Sequence, residues 1–250
     1  MIILAVDSSS KVATVALMKD DKLLGEITLN DKKEHSVILM TIIENLLTAN
    51  NLNISDIDGY VVSKGPGSFT GLRIGMATIK GLSFGSGKPY VSVSSLDALA
   101  LSVANFDGII CPIMDALRNS VYTSLYKRHS NVITTYNESN NLNLESEPHI
   151  FLEKLINYSA LDIDELIELI KSKNEKVIFI GDGVDKYKDY LAENCPNSFF
   201  PPNHLNLIRA SSLGEIGSIL LRNGKCDDSN SSPFYLKKPQ AEREYEQRMK

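Results

Sequence analysis

The feature that most restricts the fold is a pattern that occurs twice. Residues 2–17 read IILAVDSSSKVATVAL and residues 109–126 read IICPIMDALRNSVYTSLY. Each opens with a continuous apolar run, as in a strand buried on both faces, and ends it in an aspartate, Asp7 or Asp115. Each then makes a short polar turn containing a base, Lys11 or Arg118, and enters a second strand-like run. Third runs follow at residues 23–29 and 132–136. The first half continues with helical periodicity at 34–50, a strand at 58–63 that leads into Gly65-Pro66-Gly67, and a helix at 72–84. The second half has a strand at 177–180 ending in Gly181-Asp182-Gly183 and a helix at 185–193. This order predicts two βββαβα halves, and therefore a two-lobed α/β molecule.

A chain of 250 residues can bury a core for one large domain or two modest ones. We expect a first lobe at 1–105, with a strand at 91–93 and a helix at 95–104. A second lobe is expected at 106–226, and a tail at 227–250 that starts strand-like and returns to the first lobe. Residues 137–175 are polar and Asn-rich, then helical at 153–157 and 162–173, and read as an insertion on the second half. The net charge of −5 predicts no whole-surface attraction to nucleic acid, although it permits a local basic patch. Three cysteines without a C-x-x-C pair argue against a disulfide frame or a zinc site and for a reducing compartment. No run approaches the ~20 apolar residues of a membrane helix. The start MIILAVDSSS has no basic leader, so the expectation is a cytoplasmic chain.

Residues 65–75, GPGSFTGLRIG, join strand to helix. Such a loop can cradle phosphate on its backbone N–H groups, or it can be a turn that needs positive φ and close backbone approach. The lysine and hydroxyl of a Walker loop are missing, and the glycine spacing has one residue too many for a dinucleotide fingerprint. Gly71, Gly75, Ala77, Gly81 and Gly85 recur along the following helix. A helical glycine costs up to ~1 kcal/mol against alanine, so a tight helix–helix contact is expected in return. In the helix at 34–50, apolar residues cover more than half the circumference, wider than the ~100° stripe that one sheet requires. That helix is either deeply buried or carries an intermolecular face, and the second reading is preferred. The candidate interface is Leu39, Ile42, Ile43, Leu46, Gly71, Gly75, Thr78, Gly81 and Leu82. His35 opens the first of these helices, but a helical metal pair needs histidine four residues on, where Leu39 stands. His129, His149 and His204 have no partner at ligand spacing. The candidate cleft residues are Asp7, Ser8, Asp115, Gly181, Asp182 and Gly183. In a two-lobed phosphotransferase such aspartates hold magnesium or orient a nucleophile; otherwise they cap their own turns. No G-x-S-x-G elbow is present, which argues against a serine hydrolase.

GPGSFTGLRIG resembles the signature of the TsaB (YeaZ) family of the actin/hexokinase-like superfamily. LAVDSSSKVATVAL at 4–17, His35-Ser36, MDALRNSVY at 114–122 and PFYLKKPQAE at 233–242 are similar to its other motifs. The resemblance implies a two-lobed actin/hexokinase-like ATPase fold built of duplicated βββαβα units. It implies a role in forming N6-threonylcarbamoyladenosine next to the anticodon of tRNAs that read codons beginning with A. By the same resemblance the chain is a non-catalytic subunit without a cofactor. Its paralogue TsaD carries the metal and transfers the group from threonylcarbamoyl-adenylate, the ATPase TsaE joins them, and tRNA is met through the complex. The catalytic paralogue's metal histidines are four apart on the first helix. The matching positions here are His35 and Leu39, so this chain is not expected to hold that metal. Family members pair through the helices at 34–50 and 72–85. The glycine loop then sets the entry of an interface helix, and a homodimer is expected for the chain alone. The alternative is an ATP-dependent kinase or transferase acting between the lobes.

Overall fold

The computed structural model describes residues 1–30, 35–128 and 152–237, without the side chains of 35–37. The first half runs β1 (Ile2–Asp7), β2 (Ala13–Lys19), β3 (Lys22–Leu29), α1 (His35–Ala49), β4 (Gly59–Gly65), α2 (Phe69–Ser86), β5 (Tyr90–Ser94) and α3 (Ser95–Leu101). Its strands lie in the order β3-β2-β1-β4-β5. Short turns make β1, β2 and β3 an antiparallel meander, while the helical crossovers α1 and α2 make β1, β4 and β5 parallel.

The second half runs β6 (Ile109–Asp115), β7 (Ser120–Thr123), β8 (Tyr126–Arg128), β9 (Leu152–Lys154), β10 (Ser159–Asp162), α4 (Ile163–Lys173), β11 (Val177–Ile180), α5 (Val184–Asn194), β12 (Ser198–Phe199) and α6 (Ala210–Arg222). Its main strand order, β10-β7-β6-β11-β12, repeats that of the first sheet. The molecule is therefore the duplicated, two-lobed actin/hexokinase-like fold.

The structure bears on four expectations. The third strand of the second half is β10, paired antiparallel to β7, and the segment expected at 132–136 lies outside the described residues. Residues 159–173 are therefore no insertion: β10 and α4 are the counterparts of β3 and α1. Helix α4 is dictated locally. Asp162 and Glu165 form a capping box, and Ile163, Leu166, Ile167 and Ile170 make one buried stripe. The helix expected at 153–157 is absent. Leu152–Lys154 pairs instead with β8, because a cross-strand partner outweighs local propensity in so short a segment. Finally, residues 233–237 form no strand. They lie as a strap, with Phe234 N–H donating to Lys64 O at 2.7 Å.

Three apolar cores result. One fills the outer face of the first sheet under α1 and α2, and another the outer face of the second sheet under α4 and α5. The middle core draws on both sheets and is completed by α3 and α6. Helix α6 packs on β1, β2, β4 and β5 although it follows the second sheet in sequence. The lobes thus share one interior. Among the described residues, no helix is long and apolar enough to cross a membrane.

Candidate functional site

The strand-end aspartates serve their own backbone. Asp7 is fully buried, and its carboxylate accepts the Ser9 N–H at 3.0 Å and the Ser9 hydroxyl at 2.9 and 3.0 Å. Asp115 Oδ1 accepts the Leu117 N–H at 3.1 Å and pairs with Lys186 Nζ at 3.2 Å. Asp182 Oδ1 accepts the Asp115 N–H at 3.1 Å. Burial pushes the Asp182 carboxyl up to about 6, against the opposing pull of that N–H and of Lys11 from the first turn. Gly181 and Gly183 are packed on β6: a Cβ at Gly181 would stand 2.3 Å from Ile113 O, and Gly183 N–H donates to that oxygen at 3.1 Å. These groups cap and pack backbone, which is the second of the two readings of such residues. Among the described residues, no three His, Cys, Asp or Glu side chains converge to hold a metal ion.

The glycine loop closes on the β1–β2 turn. Ser68 N–H donates to Ser9 O at 2.6 Å, and the Ser8 hydroxyl donates to Gly71 O at 2.8 Å. A Cβ at Gly71 would stand 1.9 Å from Ser8 O, and one at Gly75 would stand 2.5 Å from Ser8 Oγ. Glycine is required there by close approach. Ser68 caps α2 through Gly71 N–H at 3.2 Å. Two of the N–H groups that a phosphate would use at this helix start, those of Ser68 and Gly71, are thus taken within the chain. Gly71 and Gly75 therefore face their own first strand turn and not a partner helix, which corrects the spacing argument for these two.

The remaining interface candidates divide by exposure. Leu39, Ile42, Ile43 and Leu46 are each no more than 3% exposed and belong to the first lobe's core. The wide apolar arc of α1 is absorbed because α1 touches β2, β3 and α2 together. Thr78 and Leu82 are half-buried, whereas Gly81 is exposed. Among the described residues, a Cβ at Gly81 or Gly85 would meet no atom within 4 Å beyond its chain neighbours and its own helix backbone. On the same face stand Ala77, which is exposed, and Phe84, which is 93% exposed. Met40 of α1 is 49% exposed. The candidate interface read from the sequence included neither Phe84 nor Met40. The signal was there: Ala77, Gly81 and Phe84 recur at i, i+4 and i+7, which is one helix face. The side chain of His35, and His129 and His149 entirely, lie outside the described residues.

A family model described as TsaD: tRNA N6-adenosine threonylcarbamoyltransferase matches residues 22–245. The tRNA threonylcarbamoyladenosine biosynthesis protein TsaB of Bacillus subtilis (strain 168) is 33% identical over 193 residues, 77% of this chain and 76% of that protein. The chain belongs to the TsaB family. TsaB of Escherichia coli (strain K12) is 32% identical over 135 residues, 53% of this chain and 58% of that protein. Two solved structures share the TsaB fold from end to end. YeaZ from Pseudomonas aeruginosa has a TM-score of 0.69 at 20% identity, covering 94% of this chain and 99% of its own. A Pseudomonas aeruginosa protein with similarity to peptidase YEAZ has a TM-score of 0.73 at 19% identity, with the same coverage. Membership of the TsaB family ties the chain to the biosynthesis of threonylcarbamoyladenosine in tRNA.

Proposed function

We propose that this chain is a non-catalytic subunit of the tRNA-modifying assembly, pairing with a TsaD paralogue through the exposed face of α2 and working with the ATPase TsaE. The observation that carries the reading is Phe84, 93% exposed beside Gly81 and Gly85, with no described residue from elsewhere in the chain over those glycines. An apolar ring beside small residues on an open helix face fits a second helix laid closely along it. The cleft supports the non-catalytic part, since Asp7, Asp115 and Asp182 are all engaged in capping backbone. The same α2 face makes a homodimer of the chain when its partner is absent.

Reconstitution tests this. Purified chain, paralogue and TsaE are incubated with tRNA and threonylcarbamoyl-adenylate, and nucleosides are quantified by mass spectrometry. The modified adenosine is expected only when the paralogue is present. Modified adenosine made by the chain alone would overturn the proposal.

A further inference from the structure

The charges of this chain are not spread evenly. Residues 59–96 contain Lys64, Arg73, Lys80 and Lys88 and no aspartate or glutamate, in a chain of net charge −5. The strap residues 229–237 add Lys237 and again no acid. The strap lies against the start of α2. Lys80 Nζ donates to Ser229 O at 2.8 Å and to Ser231 O, and Arg73 Nε donates to the Tyr235 hydroxyl at 3.1 Å. These acceptors are uncharged. Among the described residues, no carboxylate pairs with Lys64, Arg73 or Lys80.

Aromatic groups stand at the same place. The Arg73 guanidinium lies 4.0 Å from the centroid of the Phe69 ring, and Phe69 and Tyr235 have centroids 5.0 Å apart. Phe69 is 36% exposed and Tyr235 37%. Planar cationic and aromatic groups at solvent, beside lysines that no described carboxylate pairs with, match what unpaired RNA requires. Its bases stack on rings and guanidinium planes, and its phosphates take lysine and arginine. A paired duplex hides its bases and would gain only the charge. The apolar face proposed for the paralogue is centred further along the same side of α2: Phe84 lies 11 positions beyond Arg73, roughly 16 Å along the helix.

We infer that the patch of Phe69, Arg73 and Tyr235, with Lys64 and Lys80 beside it, binds unpaired nucleotides of an RNA strand. The identity of that RNA, a single-stranded loop of tRNA, rests on the proposed role in tRNA modification. The chemistry of the patch does not.

The test is fluorescence anisotropy of a labelled anticodon stem-loop RNA, and of a fully paired RNA duplex of the same length. Both are titrated with the full chain and with its complex with the paralogue. The stem-loop is expected to bind more tightly than the duplex. Phe69→Ala and Tyr235→Ala each weaken it by about tenfold, the scale of one lost stack. Arg73→Glu weakens it further, and Arg73→Lys recovers part because charge returns without the plane. Lys64→Gln lowers the slope of log affinity against log salt by roughly 0.7. Thermal unfolding of each variant separates lost binding from lost fold. The inference is overturned by binding indifferent to all these changes, by no preference over duplex, or by no binding to either species. It is equally overturned if Arg73→Glu releases the paralogue and spares the RNA, which would make the patch the edge of a protein interface. Size exclusion with the paralogue, run on the wild-type chain, reads the proposed function separately.

Discussion

Gly71 and Gly81 lie on one helix and answer to different neighbours. Gly71 is pressed on Ser8 O, where a Cβ would stand 1.9 Å away, whereas Gly81 faces open space. Gly71→Ala is predicted to destabilise the isolated chain by about 1–3 kcal/mol through forced backbone shifts. Gly81→Ala is predicted to stabilise it by up to ~1 kcal/mol, since only helix propensity changes. Urea denaturation of the two variants distinguishes them, and equal effects would contradict this account. The sequence showed that these glycines needed a reason, but spacing cannot tell an internal neighbour from an external one. Asp182 makes a second case. Its carboxyl is raised in the fold to about 6, above the ordinary aspartate range, with burial as the first cause. The folded state then holds the proton more tightly than the unfolded one, so this group's contribution falls as pH rises from about 4 through 6. Asp182→Asn, which keeps an acceptor for Asp115 N–H, is predicted to be more stable than wild type at pH 7 and to lose that advantage towards pH 4. Denaturation midpoints across this range check the sign; a gap that widens on acidification would refute it.

At the scale of elements, α1 shows how a correct helix led to a wrong face. Its periodicity was legible, and the structure places it at His35–Ala49. The width of its apolar arc was read as a free surface, because a sequence does not say how many elements surround a helix. Here two strands and α2 do. Leu39→Ala is therefore predicted to cost about 2–5 kcal/mol, as for a core leucine, and Met40→Glu to stay within about 0.5 kcal/mol. Chemical denaturation decides, and the reverse ranking would mean that α1 is turned over. The second lobe shows the opposite case. β10 and α4 were legible only in part, since α4 has its capping box and stripe while β10 is four residues long and owes its pairing to β7. Short strands whose partner is distant carry little local signal.

At the scale of the whole molecule, the two lobes are joined both by the shared core and by the strap. The Phe234 N–H donates to Lys64 O in the first lobe, and its ring packs at a 59° tilt on Tyr158 of the second, with centroids 5.9 Å apart. Lys237 Nζ donates to Ala116 O at 3.2 Å. Truncation after Cys226 is predicted to lower the thermal midpoint by several degrees, because α2 and the β6–β7 turn lose these contacts. An unchanged midpoint in calorimetry would show that the strap holds nothing. The duplicated plan was readable because strand ends and turns repeat in composition. The strap was not, because its hydrogen bonds run from backbone and hydroxyls that no sequence pattern announces.

The central claim is that the open face of α2 is where a TsaD paralogue pairs. The most direct measurement is size exclusion of the co-expressed pair with Gly81→Leu and Phe84→Glu, each shown by denaturation to fold as stably as wild type. The account predicts a wild-type complex that both changes abolish. A complex that survives both would contradict it.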